Sequence, residues 1–114
     1  MPIIESYSFG RIVINGHKYT SDVLVYPDGV QDGWRRKEGH NLCLEDLEDV
    51  LGRSPDVLIV GTGSFGKMKV PAEVKDELER RGIRVIAART SEAVKRYNEM
   101  CGEGQVIAAL HLTC

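Results

Sequence analysis

A glycine-rich hexapeptide, Gly61-Thr62-Gly63-Ser64-Phe65-Gly66, follows the apolar run Val57-Leu58-Ile59-Val60. Glycines so placed let backbone amides approach a phosphate or carboxylate closely, because no Cβ stands in the way. Two features depart from a dinucleotide-binding turn. Lys67 to Val70 intervene before the helix-starting Pro71, and the next strand ends in Ala87-Ala88-Arg89 instead of an acidic residue that would hold a ribose. What survives is a simpler anion site. Parallel strands ending together would set Gly61, Thr62, Gly63, Ser64 and Lys67 beside Arg89 and Thr90 at the amide-bearing start of a helix. The plainer alternative is a tight turn, a helix cap and a solvated arginine.

Trp34, the single tryptophan, stands next to Arg35, Arg36 and Lys37. It either plugs one end of the core or offers a flat surface to a ligand or partner, with Arg35 supplying charge. No nucleophile, base and orienting acid can be read from the spacing, since His17, His40 and His111 are scattered. Three cysteines, Cys43, Cys101 and Cys114, form no CxxC pair. An odd count without that spacing argues against a disulfide framework and a zinc site, and suits a reducing, cytoplasmic compartment. His40 three residues before Cys43 is too little to make a metal site. No metal or cofactor is expected.

The elements that must position these residues begin with β-structure. Tyr7 to Ile14 and Lys18 to Val25 read as two strands joined by Asn15-Gly16, a two-residue hairpin turn. Pro27-Asp28-Gly29 turns the chain again, and Val30 to Leu42 shows no period and reads as irregular. A short helix is expected over Leu44 to Leu51, with Glu45, Asp46, Glu48 and Asp49 on its exposed face. Then follow a strand over Asp56 to Val60, a helix from Pro71 to Arg81 with Gly82 behind it, and a strand over Ile83 to Ala88. A helix capped by Thr90 or Ser91 carries the stripe Ala93, Tyr97, Met100 and Cys101, and Gln105 to Leu112 closes as a strand. The order is a hairpin, a small helix and β-α-β-α-β, which folds as one α/β domain over residues 1–114 with a largely parallel sheet.

Composition narrows the function classes. Charged residues make up 28% of the chain but sum to −2, so Lys and Arg offer no excess to neutralise a phosphate backbone, and nucleic acid is not an expected partner. No signal peptide is visible in residues 1–20, and no apolar run reaches the length of a membrane span.

Several segments, in order, resemble the MTH-type domain. They are Val30-Gln31-Asp32-Gly33-Trp34-Arg35 after the hairpin, VLIVGTG at Val57 to Gly63, KVP at Lys69 to Pro71 and RRGIRV at Arg80 to Val85. The Tyr97-Asn98 helix over Ala88 to Met100 and the closing EGQVIAALHLTC from Glu103 to Cys114 complete the match. That family holds small archaeal and bacterial proteins of unknown function, an animal adipogenesis-associated member and a mitochondrial assembly factor for respiratory complex I. The resemblance implies a three-layer α/β fold with a mixed central sheet, adding one antiparallel strand. It brings no catalytic residues, and the absence of a visible presequence argues against moving the complex I role across whole. The expectation is a non-enzymatic binding or assembly domain working through an unidentified protein partner, with homodimerisation compatible. The alternative is a small-molecule or anion-binding protein, an enzyme among the options, built on Gly61, Thr62, Gly63, Ser64, Arg89 and Thr90, with Trp34 and Arg35 nearby.

Overall fold

A strand that is apolar at nearly every position needs a buried partner on both faces. Three stretches of this chain meet that description, Val23–Tyr26, Val57–Thr62 and Val106–His111. In the computed structural model, which describes residues 2–114, they are the three inner strands of one five-stranded sheet.

In chain order the elements are β1 (Ile4–Ser8), β2 (Arg11–Ile14), β3 (His17–Tyr19), β4 (Val23–Tyr26) and β5 (Gly29–Asp32). A 3₁₀ turn over Leu44–Leu47 leads into α1 (Glu48–Gly52). Then come β6 (Val57–Thr62), α2 (Ala72–Arg80), β7 (Arg84–Ala88), α3 (Thr90–Met100) and β8 (Val106–His111). The large sheet runs β5-β4-β8-β6-β7, and β1-β2-β3 form a second, antiparallel sheet. Strand β6 is parallel to β7 and β8, as the β-α-β-α-β order predicts, whereas β4 is antiparallel to both β8 and β5. The mixed α/β fold is therefore as expected: β5, antiparallel to β4, runs in the same direction as β8, β6 and β7, so β4 is the one antiparallel strand that the resemblance implied.

Period-two alternation sorts the inner strands into two cores. Val23, Val25, Val57, Ile59, Val106, Ala108 and Leu110 face Ile12 and Ile14 of the small sheet and Ala93 and Tyr97 of α3. Leu24, Tyr26, Leu58, Val60, Ile107 and Ala109 face Val74 and Leu78 of α2, Leu47 and Val50 around α1, and Trp34. These are the three layers. The Tyr97-Asn98 pair ties α3 to the start of β1 on the first of these cores. Tyr97 Oη donates to the Pro2 carbonyl at 2.9 Å, while the Asn98 amide accepts from Ile4 N and donates to Ile4 O at 3.1 and 2.7 Å.

Several boundaries differ from the sequence reading. The Asn15-Gly16 turn forms with both residues in the left-handed region, at φ 49° and 80°, the type I′ geometry that suits strand twist. But Tyr7 to Ile14 is two strands, because the chain reverses at Phe9-Gly10. Lys18 to Val25 is also two, broken at Thr20 to Asp22, so that β3 stays in the small sheet and β4 crosses to the large one. The stretch after Val30 is not wholly irregular, since β5 pairs with β4 through Asp32. At the start of α3 the capping position falls to Arg89, and no side chain caps that helix. Asp46 is not merely part of a solvated face, because its carboxylate accepts from the Lys37 and Cys43 amides.

Leu58 is fully buried between β7 and β8 and points at α2. Leu58→Ala should cost about 2–5 kcal/mol in urea denaturation, whereas Lys75→Ala on the exposed face of α2 should change stability by less than about 0.5 kcal/mol.

Candidate functional site

The carboxyl ends of β6 and β7 lie together, with Gly61 opposite Ala88 in the ladder. Six of the residues singled out in the sequence, Gly61, Thr62, Gly63, Ser64, Arg89 and Thr90, meet here. Thr90 is fully buried. Its hydroxyl accepts from Gly63 N at 2.9 Å and donates to the His111 carbonyl at 2.5 Å, and its own amide donates to Gly63 O at 3.1 Å. A Cβ on Gly61 would stand 2.8 Å from Thr90 Oγ1 and 2.9 Å from Leu110 Cδ2, so only glycine fits.

The closest neighbour of Gly63 is the segment Thr113-Cys114. At φ 103° a Cβ there would fall well inside 3.0 Å of the Cys114 backbone. Ser64 N donates to Thr113 O at 2.6 Å and Lys67 N to Cys114 O at 2.8 Å. Gly66 N and Met68 N turn back onto Gly63 O and Thr62 O. The Thr62 hydroxyl donates to Ala88 O at 3.1 Å. These amides are thus held by the protein's own carbonyls, and what the loop presents outward is side chains. Arg89 is one: its Cγ and Nε pass within 3.5 and 3.7 Å of a Cβ position on Gly66, and it enters no ion pair among the described residues.

Phe65, at the crest of the loop, is 63% exposed, and Phe9, at the β1-β2 turn, is 56% exposed, the two rings tilted against each other with centroids 6.1 Å apart. Both turns are anchored below the rings. Gly10 N and the Tyr7 hydroxyl donate to Leu112 O at 2.9 and 2.8 Å, and Tyr7 also meets Ser64 Oγ. Two large apolar side chains thus stand in water on a braced support. Sequence reasoning passed over both, because an aromatic residue beside a turn glycine belongs to no period.

Beneath this end of the sheet lies a charged cluster that the sequence also concealed. Asp22 Oδ2 pairs with Arg36 Nη1 and His111 Nδ1, both at 2.8 Å, and Oδ1 accepts from Leu112 N at 2.8 Å. Burial opposes ionisation of Asp22, but the hydrogen bonds from His111, Leu112 and Arg36 outweigh it and hold the carboxyl below its ordinary range. Arg36 Nη2 also lies 3.0 Å from His111 Nδ1, so carboxylate and guanidinium converge on that one ring nitrogen. His111 Nε2 is left buried without a partner, and the exposed His40 ring lies 6.3 Å from that of His111.

Trp34 and Arg35 are not brought to the loop. Trp34 is 6% exposed, donates Nε1 to Asp46 O at 2.9 Å and carries the Arg36 guanidinium 4.9 Å above its ring. It closes the α2-side core, and with Arg35 it lines a separate open groove of about 400 Å³. The Cys43 thiol is pushed up by burial and then by Asp46 and Glu45, which keeps it protonated. Among the described residues no three His, Cys, Asp or Glu side chains converge to hold a metal, and no helix is long and apolar enough to cross a membrane.

The model of a protein family described as "Protein of unknown function (DUF498/DUF598)" matches residues 4–111. The chain belongs to this family. It is 30% identical over 109 residues to the Danio rerio protein named NADH dehydrogenase [ubiquinone] 1 alpha subcomplex assembly factor 3, a match taking in 94% of this chain and 62% of that protein. The chain therefore spans under two thirds of the curated relative's length. Among solved structures, the conserved hypothetical protein PH1505 from Pyrococcus horikoshii OT3 superposes with a TM-score of 0.84 at 34% identity, covering 97% of this chain and 98% of its own. The structure titled MT938 gives a TM-score of 0.81 at 30% identity, with both chains covered in full. The MTH-type resemblance read from the sequence holds for the family and for the fold.

Two outcomes follow from this geometry. Gly63→Ala, which meets both a left-handed φ and the Cys114 backbone, should lower stability by about 2 kcal/mol or more in thermal and urea unfolding. Asp22→Asn, which leaves Arg36 without its carboxylate, should cost about 3 kcal/mol at neutral pH. Because the folded carboxyl is depressed, its contribution is present above the ordinary value of 3.8 and is lost as pH falls through the lower folded value. The wild type should therefore lose stability on acidification below about pH 4, and the gap to Asp22→Asn should narrow there.

Proposed function

We propose that this domain works without catalysis, as a binding or assembly module that docks another protein through the Phe9-Phe65 surface. The observation that carries the reading is the pair of exposed rings on two turns tied to the same segment, Leu112 to Cys114. An aromatic ring more than half in water gains little for the fold, and aromatic residues on rigid backbone make effective anchors for a partner because little conformational freedom is lost on docking. The assembly-factor name of the Danio rerio relative supports the same class of role. Unpaired Cys43, Cys101 and Cys114 suit a reducing, cytoplasmic setting.

A small anion is the second reading, favoured by one observation, the unpaired Arg89 guanidinium beside Gly66. With the neighbouring amides engaged, such a ligand would meet the side chains of Arg89 and Lys67. Calorimetric titration of wild type and Arg89→Ala with phosphate and with citrate separates this reading from the first.

The test of the leading reading compares tagged wild type, Phe9→Ser/Phe65→Ser and the control Lys95→Ala as baits in native extract. Exposed substitutions should leave thermal stability within about 0.5 kcal/mol of wild type. The same protein should be recovered by wild type and control and reduced at least about tenfold with the double serine variant, since losing anchors of this kind costs 1.4 kcal/mol or more. Equal recovery by the double variant would sink the reading. Sedimentation of wild type against the double variant shows whether the occupant is a second copy.

A further inference from the structure

The partner surface has a sign as well as a shape. Three cations belong to the segments that carry or abut the two rings. Lys67 lies two residues beyond Phe65, Arg89 packs its stem across Gly66 between them, and Arg11 begins β2 at the base of the Phe9-Gly10 turn opposite Ser8. Among the described residues none of the three reaches a carboxylate within 4.0 Å, although Asp and Glu outnumber Lys and Arg in the chain, 17 to 15. Of the Lys and Arg side chains, only Arg36, Lys37, Arg53, Arg80 and Arg81 enter ion pairs among the described residues, so what sets these three apart is their setting: residues 8–11 and 64–67, which carry the rings, contain no Asp or Glu. The acid nearest Arg89 along the chain, Glu92 in the first turn of α3, makes no ion pair with it.

We infer that the Phe9-Phe65 surface receives a protein segment in which an aromatic or long aliphatic side chain is flanked by aspartate or glutamate. This rests on the partner-binding reading above. The apolar side chain fills the angle between the tilted rings, and the flanking carboxylates meet Lys67, Arg89 and Arg11. The two parts contribute differently. Exposed ion pairs are weak singly, so the rings supply most of the affinity, while the cations set the rate of encounter, the salt dependence and the choice of partner. A basic segment would find three unpaired like charges and be rejected.

Selection of a phage-displayed random twelve-residue peptide library on immobilised wild-type protein tests the inference. The strongest selected peptide is then made with a fluorescein label and titrated by anisotropy. The expected consensus is an aromatic or leucine beside two or more Asp or Glu, with affinity falling about tenfold as salt rises from about 50 to about 500 mM. Lys67→Glu/Arg89→Glu should weaken the peptide at least about tenfold, and Phe9→Ser/Phe65→Ser should remove binding. A consensus that is basic or uncharged, or no consensus, overturns the inference. So does a peptide indifferent to Lys67→Glu/Arg89→Glu. If that peptide is still lost with the serine variant, the partner-binding surface stands and only its acidic preference fails. A peptide that binds the serine variant as well as wild type overturns both.

Discussion

A single buried hydroxyl joins the elements on which this end of the molecule depends. Thr90 Oγ1 takes the Gly63 amide and gives its proton to the His111 carbonyl, so one atom couples the loop after β6, the first residue of α3 and the end of β8. The consequence reaches outward. With β8 held there, Leu112 is placed to accept from Tyr7 and Gly10, and the following Thr113-Cys114 carbonyls are placed to take the Ser64 and Lys67 amides. The rings of Phe9 and Phe65 therefore stand on one continuous hydrogen-bonded base. A residue at the start of a helix usually turns its hydroxyl to the helix's own amides. Thr90 does not, and α3 begins without a side-chain cap.

The same base is reached from the opposite side through Asp22, which holds Leu112 N with one oxygen and Arg36 and His111 with the other. A buried ion pair seldom adds much stability over an apolar replacement, but removing one partner is costly. This cluster is better understood as fixing where the break between β3 and β4 lies relative to β8. The orphaned His111 Nε2 is a local cost of that arrangement.

Legibility in the sequence followed the physics of each element. The inner strands were plain, because Val57 to Val60 and Ile107 to Leu110 are apolar at every position and only burial on both faces explains such a run. Helix α2 was plain from Pro71 and Gly82, which mark ends by backbone chemistry alone. The breaks inside Tyr7 to Ile14 and Lys18 to Val25 were not, since local composition stays strand-like and the chain leaves the sheet for tertiary reasons. At the site, the juxtaposition of Gly61 to Ser64 with Arg89 and Thr90 followed from parallel strand order. That the Thr113-Cys114 segment would lie against Gly63 did not, because the glycine pattern records a close approach without naming what approaches. Asp22, Arg36 and His111 are 14 and 75 residues apart in turn, and no spacing rule connects them.

Family membership is shared with proteins of unknown function and with a relative named for assembly, and two exposed aromatic rings stand out on the surface of this domain. The most direct measurement is hydrogen–deuterium exchange of the wild-type protein, alone and with a bound partner or selected peptide. The account predicts new protection concentrated at residues 8–11 and 64–67. Protection confined to the Trp34 and Arg35 groove, with those two turns unchanged, would contradict it.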